Sequence, residues 1–371
     1  MIYLDNAATG GTKPHSVINA TYAALNNCAN AGRSGHKLSV ACAQRVYACR
    51  KLLCTFFGGY SPDRVVFTQN CSYALNMAIC GGLKAGDNVV TTVAEHNSVL
   101  RPLKHMEDLG VNVTYIGLNA NGDIDVPKLI AAVNEGTTAV IITLASNVTG
   151  TAPDIVRIRS AIPKGVLLIC DGAQACGHEH IDMTALGIDA LAVAGHKGMC
   201  GIQGSGALIF SPRFNPLPLA YGGTGSVSNS LDMPDFYPDA LECGTLSYPA
   251  IISLGEGAAY LTAHIYENRD KVIYLTSMFL EELGKIKGVR VYSRTNPYGI
   301  VAFSLDNMQS EIAAFKLSDE YSVMVRGGLH CAPLMHKALS SEGLVRVSLS
   351  SFNSKGDIAY AIHAISRLAA L

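Results

Sequence analysis

No two of the eleven cysteines are spaced C-x-x-C, so the sequence supports neither a zinc site nor a redox dithiol. No uncharged apolar run approaches the roughly 18–20 residues that a bilayer span needs. Charge is scarce: 15% of the residues are charged and the net charge is −1. A basic face for nucleic acid and a polybasic or acidic tail are therefore not expected. Internal repeats and low-complexity segments are absent. The N-terminus, Met1 to Asn6, shows no basic stretch followed by an apolar one, so no signal peptide is read. A cytoplasmic protein with reduced thiols is the expectation, and Cys42, Cys49 and Cys54, set at helical spacing, read as small core residues.

The 371 residues suffice for one large unit and a smaller one. Apolar strands alternate with helical stretches: Arg64–Thr68, Asn88–Val93, Val111–Ile116, Ala139–Leu144, Gly165–Cys170 and Ile188–Ala194. Continuous apolar runs of this kind predict a mostly parallel sheet buried on both faces. Ligands of such sheets sit outside the carboxyl ends of the strands. Ser72, His96, Asn147, Asp171 and Lys197 all fall at or just past those ends. From about Ile251 the pattern changes to a long helix, through Leu254 to about Leu283, then short strands and helices, which predicts a smaller α+β unit with an antiparallel sheet. The boundaries read as 15–250 for the large unit, with 1–14 and 251–371 forming the small one.

Lys197 stands in Gly195-His196-Lys197-Gly198, directly after an apolar strand. Lysine is rarely buried without a reason, and glycines on both sides let a ligand come close. In that setting it can lose its proton and attack carbonyls; taken alone, these residues equally describe a surface lysine in a glycine-rich turn. The strand Arg64–Thr68 turns through Gln69-Asn70-Cys71-Ser72 into a helix, a ready site for an anion such as phosphate. The same residues are also consistent with a helix cap and nothing more.

Asp171-x-x-Gln174 followed by Gly195-His196-Lys197 resembles the signature of the fold-type I pyridoxal phosphate enzymes, within the class V aminotransferase group. Arg326-Gly327-Gly328-Leu329-His330-Cys331-Ala332-Pro333-Leu334 is similar to the cysteine motif of group II cysteine desulfurases and selenocysteine lyases. The motifs run in the family's order from Tyr3-Leu4-Asp5-Asn6-Ala7-Ala8 to Arg346–Asn353. The resemblance implies the α/β fold-type I architecture and pyridoxal 5′-phosphate as cofactor, with no metal. Lys197 would bond the cofactor and move the α-proton, and Asp171 would pair with the ring nitrogen. By resemblance His96 would lie over the ring and Gln174 would meet its phenolic oxygen. The phosphate would be held by the Cys71 N–H, Ser72 and His196, and by Thr245 of a neighbouring subunit, which implies a homodimer with shared sites. Arg346 would clamp the substrate carboxylate with help from Asn147, and Cys331 would attack the substrate sulfur or selenium.

The implied reaction is conversion of L-cysteine to L-alanine with a persulfide on the enzyme, sulfur mobilisation of the kind that feeds iron–sulfur cluster assembly through an acceptor protein. A selenocysteine lyase, another β-elimination or a transamination fits the same residues, and a scaffold of this fold without chemistry is the remaining alternative. Two departures from the family pattern stand out. Ala194 occupies a position where a phosphate-binding serine or threonine is common, and the segment from Gly222 to Gly244 is short for an interface hairpin.

Overall fold

The computed structural model describes all 371 residues. Its elements run β1 (Ile2–Tyr3), α1 (His15–Asn26), α2 (Lys37–Phe56), β2 (Val65–Thr68), α3 (Cys71–Cys80), β3 (Asn88–Thr92), α4 (Asn97–Asp108), β4 (Asn112–Ile116), α5 (Val126–Ala132), β5 (Ala139–Thr143), α6 (Ile155–Ala161), β6 (Leu167–Asp171), α7 (Met183–Leu186), β7 (Ala190–Ala194) and β8 (Gly206–Phe210). There follow α8 (Tyr248–Leu283), β9 (Val289–Val291), β10 (Ile300–Leu305), α9 (Ser310–Tyr321), β11 (Val323–Met324), α10 (Pro333–Ala338), β12 (Val345–Ser348) and α11 (Lys355–Ala369).

A seven-stranded sheet in the order β2-β8-β7-β6-β5-β3-β4 forms the centre. Its strands read as unbroken apolar runs because both faces are covered, and alternate residues serve different cores. Val140, Ile142, Leu191, Val193, Ala207 and Ile209 enter one core, while Ala139, Ile141, Ala190, Ala192, Leu208 and Phe210 enter the other. β8 runs antiparallel to both β2 and β7. Its amino end therefore lies on the same rim as the carboxyl ends of the parallel strands.

A third core gathers Phe303, Val345, Val347, Ile358 and Ile365 around the antiparallel sheet β12-β10-β9. Helix α8 joins the two regions. Its Ile251, Leu254, Ala258 and Leu261 belong to a large-sheet core, and its Leu275, Phe279 and Leu283 to the third. β1 pairs in parallel with β11, a two-stranded arrangement too short to read from sequence period. The chain then crosses towards the large sheet, tied by a bridge between Asp5 and Ser348.

α8 lies so close to the loop after Lys197 that a methyl group at Gly257 would run into the Met199 carbonyl oxygen. Alanine is the better helix former by about 0.5–1 kcal/mol, but overpacking of this kind costs about 1–3 kcal/mol. Gly257→Ala should thus destabilise the protein on balance and displace the lysine loop. A thermal unfolding midpoint at or above that of the wild type would contradict this packing.

Candidate active site

Thr68, Thr92, Thr143, Asp171 and Ala194 end their strands on one rim, with Gly206 beside them. At one side of it Asn70 caps α3, its side chain accepting from the Tyr73 N–H at 2.8 Å. The first N–H groups of the helix, those of Cys71 and Ser72, have no carbonyl within the helix to bond. They are left free, as donors that an anion could take. Gly206 lets β8 approach this turn, since a Cβ there would come within 2.7 Å of the Asn70 carbonyl carbon.

Asp171 is buried; its Oδ1 accepts from the Ala173 N–H at 2.9 Å and from the Cys71 thiol at 3.5 Å. Oδ2 has no partner within the chain. The Lys197 ammonium makes neither a hydrogen bond nor an ion pair. Burial pushes its ammonium below the usual lysine range; the charge of Asp171 opposes that shift, and Arg346 and Arg326 add to it. The Cys71 thiol is driven well above its ordinary value, first by burial and then by Asp171.

His96 caps α4. Its Nδ1 accepts from the Ser98 N–H at 3.0 Å, so a neutral ring carries its proton on Nε2. Burial lowers it to about 4. Ser98 also joins Ser72, hydroxyl to hydroxyl at 2.6 Å, linking the two helix starts. Gln174 spends one Nε2 hydrogen on the Ala7 carbonyl at 3.1 Å and keeps the other. On the far side of the lysine, residues 9–13 strap His196. Thr9 Oγ1 lies 3.1 Å from its Nδ1, and the His196 carbonyl accepts from the Gly10 N–H at 2.9 Å and from Lys13 Nζ at 3.1 Å.

The third wall comes from the small-sheet region. Cys331 is exposed, and it and His330 are consecutive non-glycine residues in the left-handed region, φ 57° and 49°. Each such residue costs on the order of 1–2 kcal/mol. The turn is held from the large sheet. Asn147 Nδ2 donates to the His330 carbonyl at 2.6 Å, and the Asn97 N–H to the Cys331 carbonyl at 2.7 Å. His330 Nε2 meets the Leu344 carbonyl at 3.0 Å, which places its proton there and leaves Nδ1 without a partner. Arg346 is 1% exposed; its Nη1 donates to the Asn147 carbonyl and its Nη2 to Asp5 Oδ1, both at 3.0 Å. Arg326 pairs with Arg346 across the strand bridge and brings Nη2 to 3.8 Å from the Cys331 sulfur.

Lys197, Asp171, Gln174, His96, Cys71, Ser72, His196, Asn147, Arg346 and Cys331 thus border one region. Thr245 does not bond to any of them. It accepts from Asn30 Nδ2 at 3.4 Å and lines a separate cavity with Phe67, Gln69, Tyr73 and Gly206. Asp5, Thr9, Lys13, Ser98 and Arg326 escaped sequence reasoning as site residues. Their positions follow from strand register and loop closure, and the only local signal was that Asp5 and Arg326 stand inside recognisable motifs.

Burial lowers His96, His178 and His196 to about 4 and His330 to about 2, from the ordinary 6.5. The unfolded chain binds these protons near pH 6.5 and the folded one does not, so stability present above 6.5 is lost as pH falls towards 4. Buried Glu95, raised to about 8, acts in the opposite sense between about 4.5 and 8. Burial also lowers His336 and raises Glu242, and five imidazoles outweigh two carboxyls below pH 6.5. The thermal midpoint should fall clearly between pH 7 and pH 5, and a flat profile would contradict the buried neutral histidines.

The family model for class V aminotransferases matches residues 2–360. A probable cysteine desulfurase of Methanothermobacter thermautotrophicus is 33% identical, covering 96% of this chain and 92% of that protein. A cysteine desulfurase of Yersinia pestis is 28% identical over 99% of this chain and 93% of its own length. Among solved structures, the apo cysteine desulfurase of Thermococcus onnurineus superposes with a TM-score of 0.89 at 28% identity, covering 100% of this chain and 94% of that one. The cysteine desulfurase CsdA of Escherichia coli gives 0.87 at 27%, covering 98% and 94%. No helix is long and apolar enough to cross a membrane. With its central sheet, its rim lysine and a family model spanning nearly its whole length, the chain belongs to the class V aminotransferase family.

Proposed function

We propose that the protein is a pyridoxal phosphate-dependent cysteine desulfurase that converts L-cysteine to L-alanine and keeps the sulfur as a persulfide on Cys331. The observation that carries the reading is the meeting of an unpaired rim lysine, Lys197, with an exposed cysteine, Cys331, held in a constrained turn. The residues fit the cofactor: Asp171 has a carboxylate oxygen without a partner, and α3 offers free N–H groups. Asp171 Oδ2 would hold the ring nitrogen, and the Cys71 and Ser72 N–H groups with the Ser72 hydroxyl and His196 would hold the phosphate. Gln174, with its spare N–H, would meet the phenolic oxygen, and His96, a neutral ring, would cover the face. When bound, the cofactor supplies an aldehyde for the substrate amine and an electron-accepting ring.

The chain's own residues do the rest. Arg346 and Asn147 orient the substrate carboxylate. Lys197, its amine favoured by burial, takes and returns the proton at the α-carbon. The Cys331 thiolate attacks the substrate sulfur. A sulfur–sulfur bond forms, the substrate's carbon–sulfur bond breaks, and its electron pair goes to the carbon, which leaves protonated as alanine. Arg326, 3.8 Å from the thiol, supplies positive charge beside it. Burial drives Cys71 and Cys176 well above the ordinary thiol value and Cys200 to about 11, so none of the three suits this role. The reading extends to a large unit of residues 15–250 with a small one of 1–14 and 251–371. It also includes a homodimer in which Thr245 serves the neighbouring subunit's phosphate site, and a protein that accepts the persulfide sulfur.

Cys331→Ala should still bind cofactor and still change colour with cysteine, while sulfide release falls by several orders of magnitude. Brief exposure of the wild type to cysteine should add one sulfur atom to the peptide holding Cys331, as read by mass spectrometry. Finding it on Cys71, Cys176 or Cys200 would overturn the assignment. Parallel turnover of selenocysteine compares the two substrates, and undiminished activity of Cys331→Ala on its best substrate would point to transamination.

A further inference from the structure

Arg346 is buried and charged before any substrate arrives, and the structure shows what balances it. Asp5 Oδ1 lies 3.0 Å from Nη2. The carboxylate is fixed there by its backbone. Asp5 bridges Ser348, whose N–H donates to the Leu4 carbonyl at 2.7 Å and whose hydroxyl accepts from the Ala7 N–H at 2.8 Å. A second guanidinium, Arg326, stands directly across the bridge from Arg346, its backbone N–H and carbonyl exchanging bonds with Arg346 at 3.1 and 2.7 Å. Like charges on opposed strand positions repel, and Asp5 is the only carboxylate that pairs with either arginine. Arg346 Nε, buried, bonds to nothing. A buried donor without an acceptor is costly, so the guanidinium is poised to take a carboxylate oxygen while still holding Asp5.

We propose that Asp5 is the resident counter-ion of the substrate clamp: it holds Arg346 in place and, by sharing that guanidinium with the incoming α-carboxylate, limits how tightly an amino acid binds. The inference rests on the reading of Arg346 as the carboxylate clamp. Asp5 touches no reacting atom and is a positioning residue. Its negative charge faces the substrate carboxylate across one cation, so removing the charge while keeping the hydrogen-bond acceptor strengthens binding of the carboxylate.

The test titrates the cofactor-loaded enzyme with L-alanine, following cofactor absorbance, so it reads binding and needs no sulfur chemistry. Asp5→Asn should lower the alanine dissociation constant several-fold, and Asp5→Glu should leave it close to the wild-type value. Alaninamide, which lacks the carboxylate, should bind equally to all three. Asp5→Gln, which also removes the charge while keeping an amide acceptor, stands in if Asp5→Asn does not fold, as judged by thermal unfolding. Arg346→Lys is run alongside and should weaken alanine binding. If Arg346→Lys weakens binding but Asp5→Asn leaves it unchanged or weaker, the counter-ion role is overturned and the clamp survives. If neither substitution changes it, the clamp reading fails and the counter-ion role fails with it. A gain of alaninamide equal to that of alanine would show an effect unrelated to the carboxylate and would also overturn the proposal.

Discussion

Keeping Lys197 out of water without giving it a partner is the condition on which this rim depends. An ammonium paired to a carboxylate is a structural group; one that is desolvated and unpaired shifts towards the free amine. The structure meets the condition by tying up the nearest anion. Asp171 Oδ1 accepts from a backbone N–H and a thiol, so the acid is fixed by groups other than the lysine. The strap from Thr9 to Lys13 engages the His196 ring and its carbonyl and closes the other side. Close packing of α8 against the following loop, permitted by Gly257, prevents the segment from swinging into solvent.

The same logic of committed partners governs the small-sheet side. The Cys331 turn is unfavourable in itself, and it persists because the Asn147 side chain and the Asn97 N–H at the start of α4 donate to its two carbonyls. That clamp couples two regions of the molecule. Asn97, next to His96, holds the carbonyl of the cysteine, while the Asn147 carbonyl takes an N–H of Arg346. Cys331, His96 and Arg346 are therefore positioned by one short hydrogen-bond chain rather than by three independent loops.

Much of this was legible in the sequence, for definite reasons. The apolar runs of β5, β7 and β8 announce a sheet covered on both faces, and each of their residues is buried. Lys197, Asp171, His96 and Ser72 could be placed on one rim because parallel strands send their carboxyl ends to the same side. The antiparallel direction of β8 was not legible, since strand direction leaves no mark on the pattern of apolar residues. Nor were the Asp5–Arg346 pair and the Arg326–Arg346 bridge, which join positions 341 and 20 residues apart in sequence through registers set by tertiary packing. The start of α8 at Tyr248 rather than near Leu254 reflects Pro249 in its first turn, where the missing N–H is harmless. The sequence around Asn147 carries no sign of its bond to the His330 carbonyl, which depends on a loop 183 residues away.

The claim that most of this account stands on is that Lys197 is the residue that bonds the cofactor. Borohydride reduction of the cofactor-loaded protein, followed by proteolysis and mass spectrometry, tests it directly. The account predicts a single phosphopyridoxyl group on the peptide containing Lys197 and none in Lys197→Ala. A group fixed instead on Lys13 or on another lysine, or cofactor bound with no reducible bond to any lysine, would contradict it.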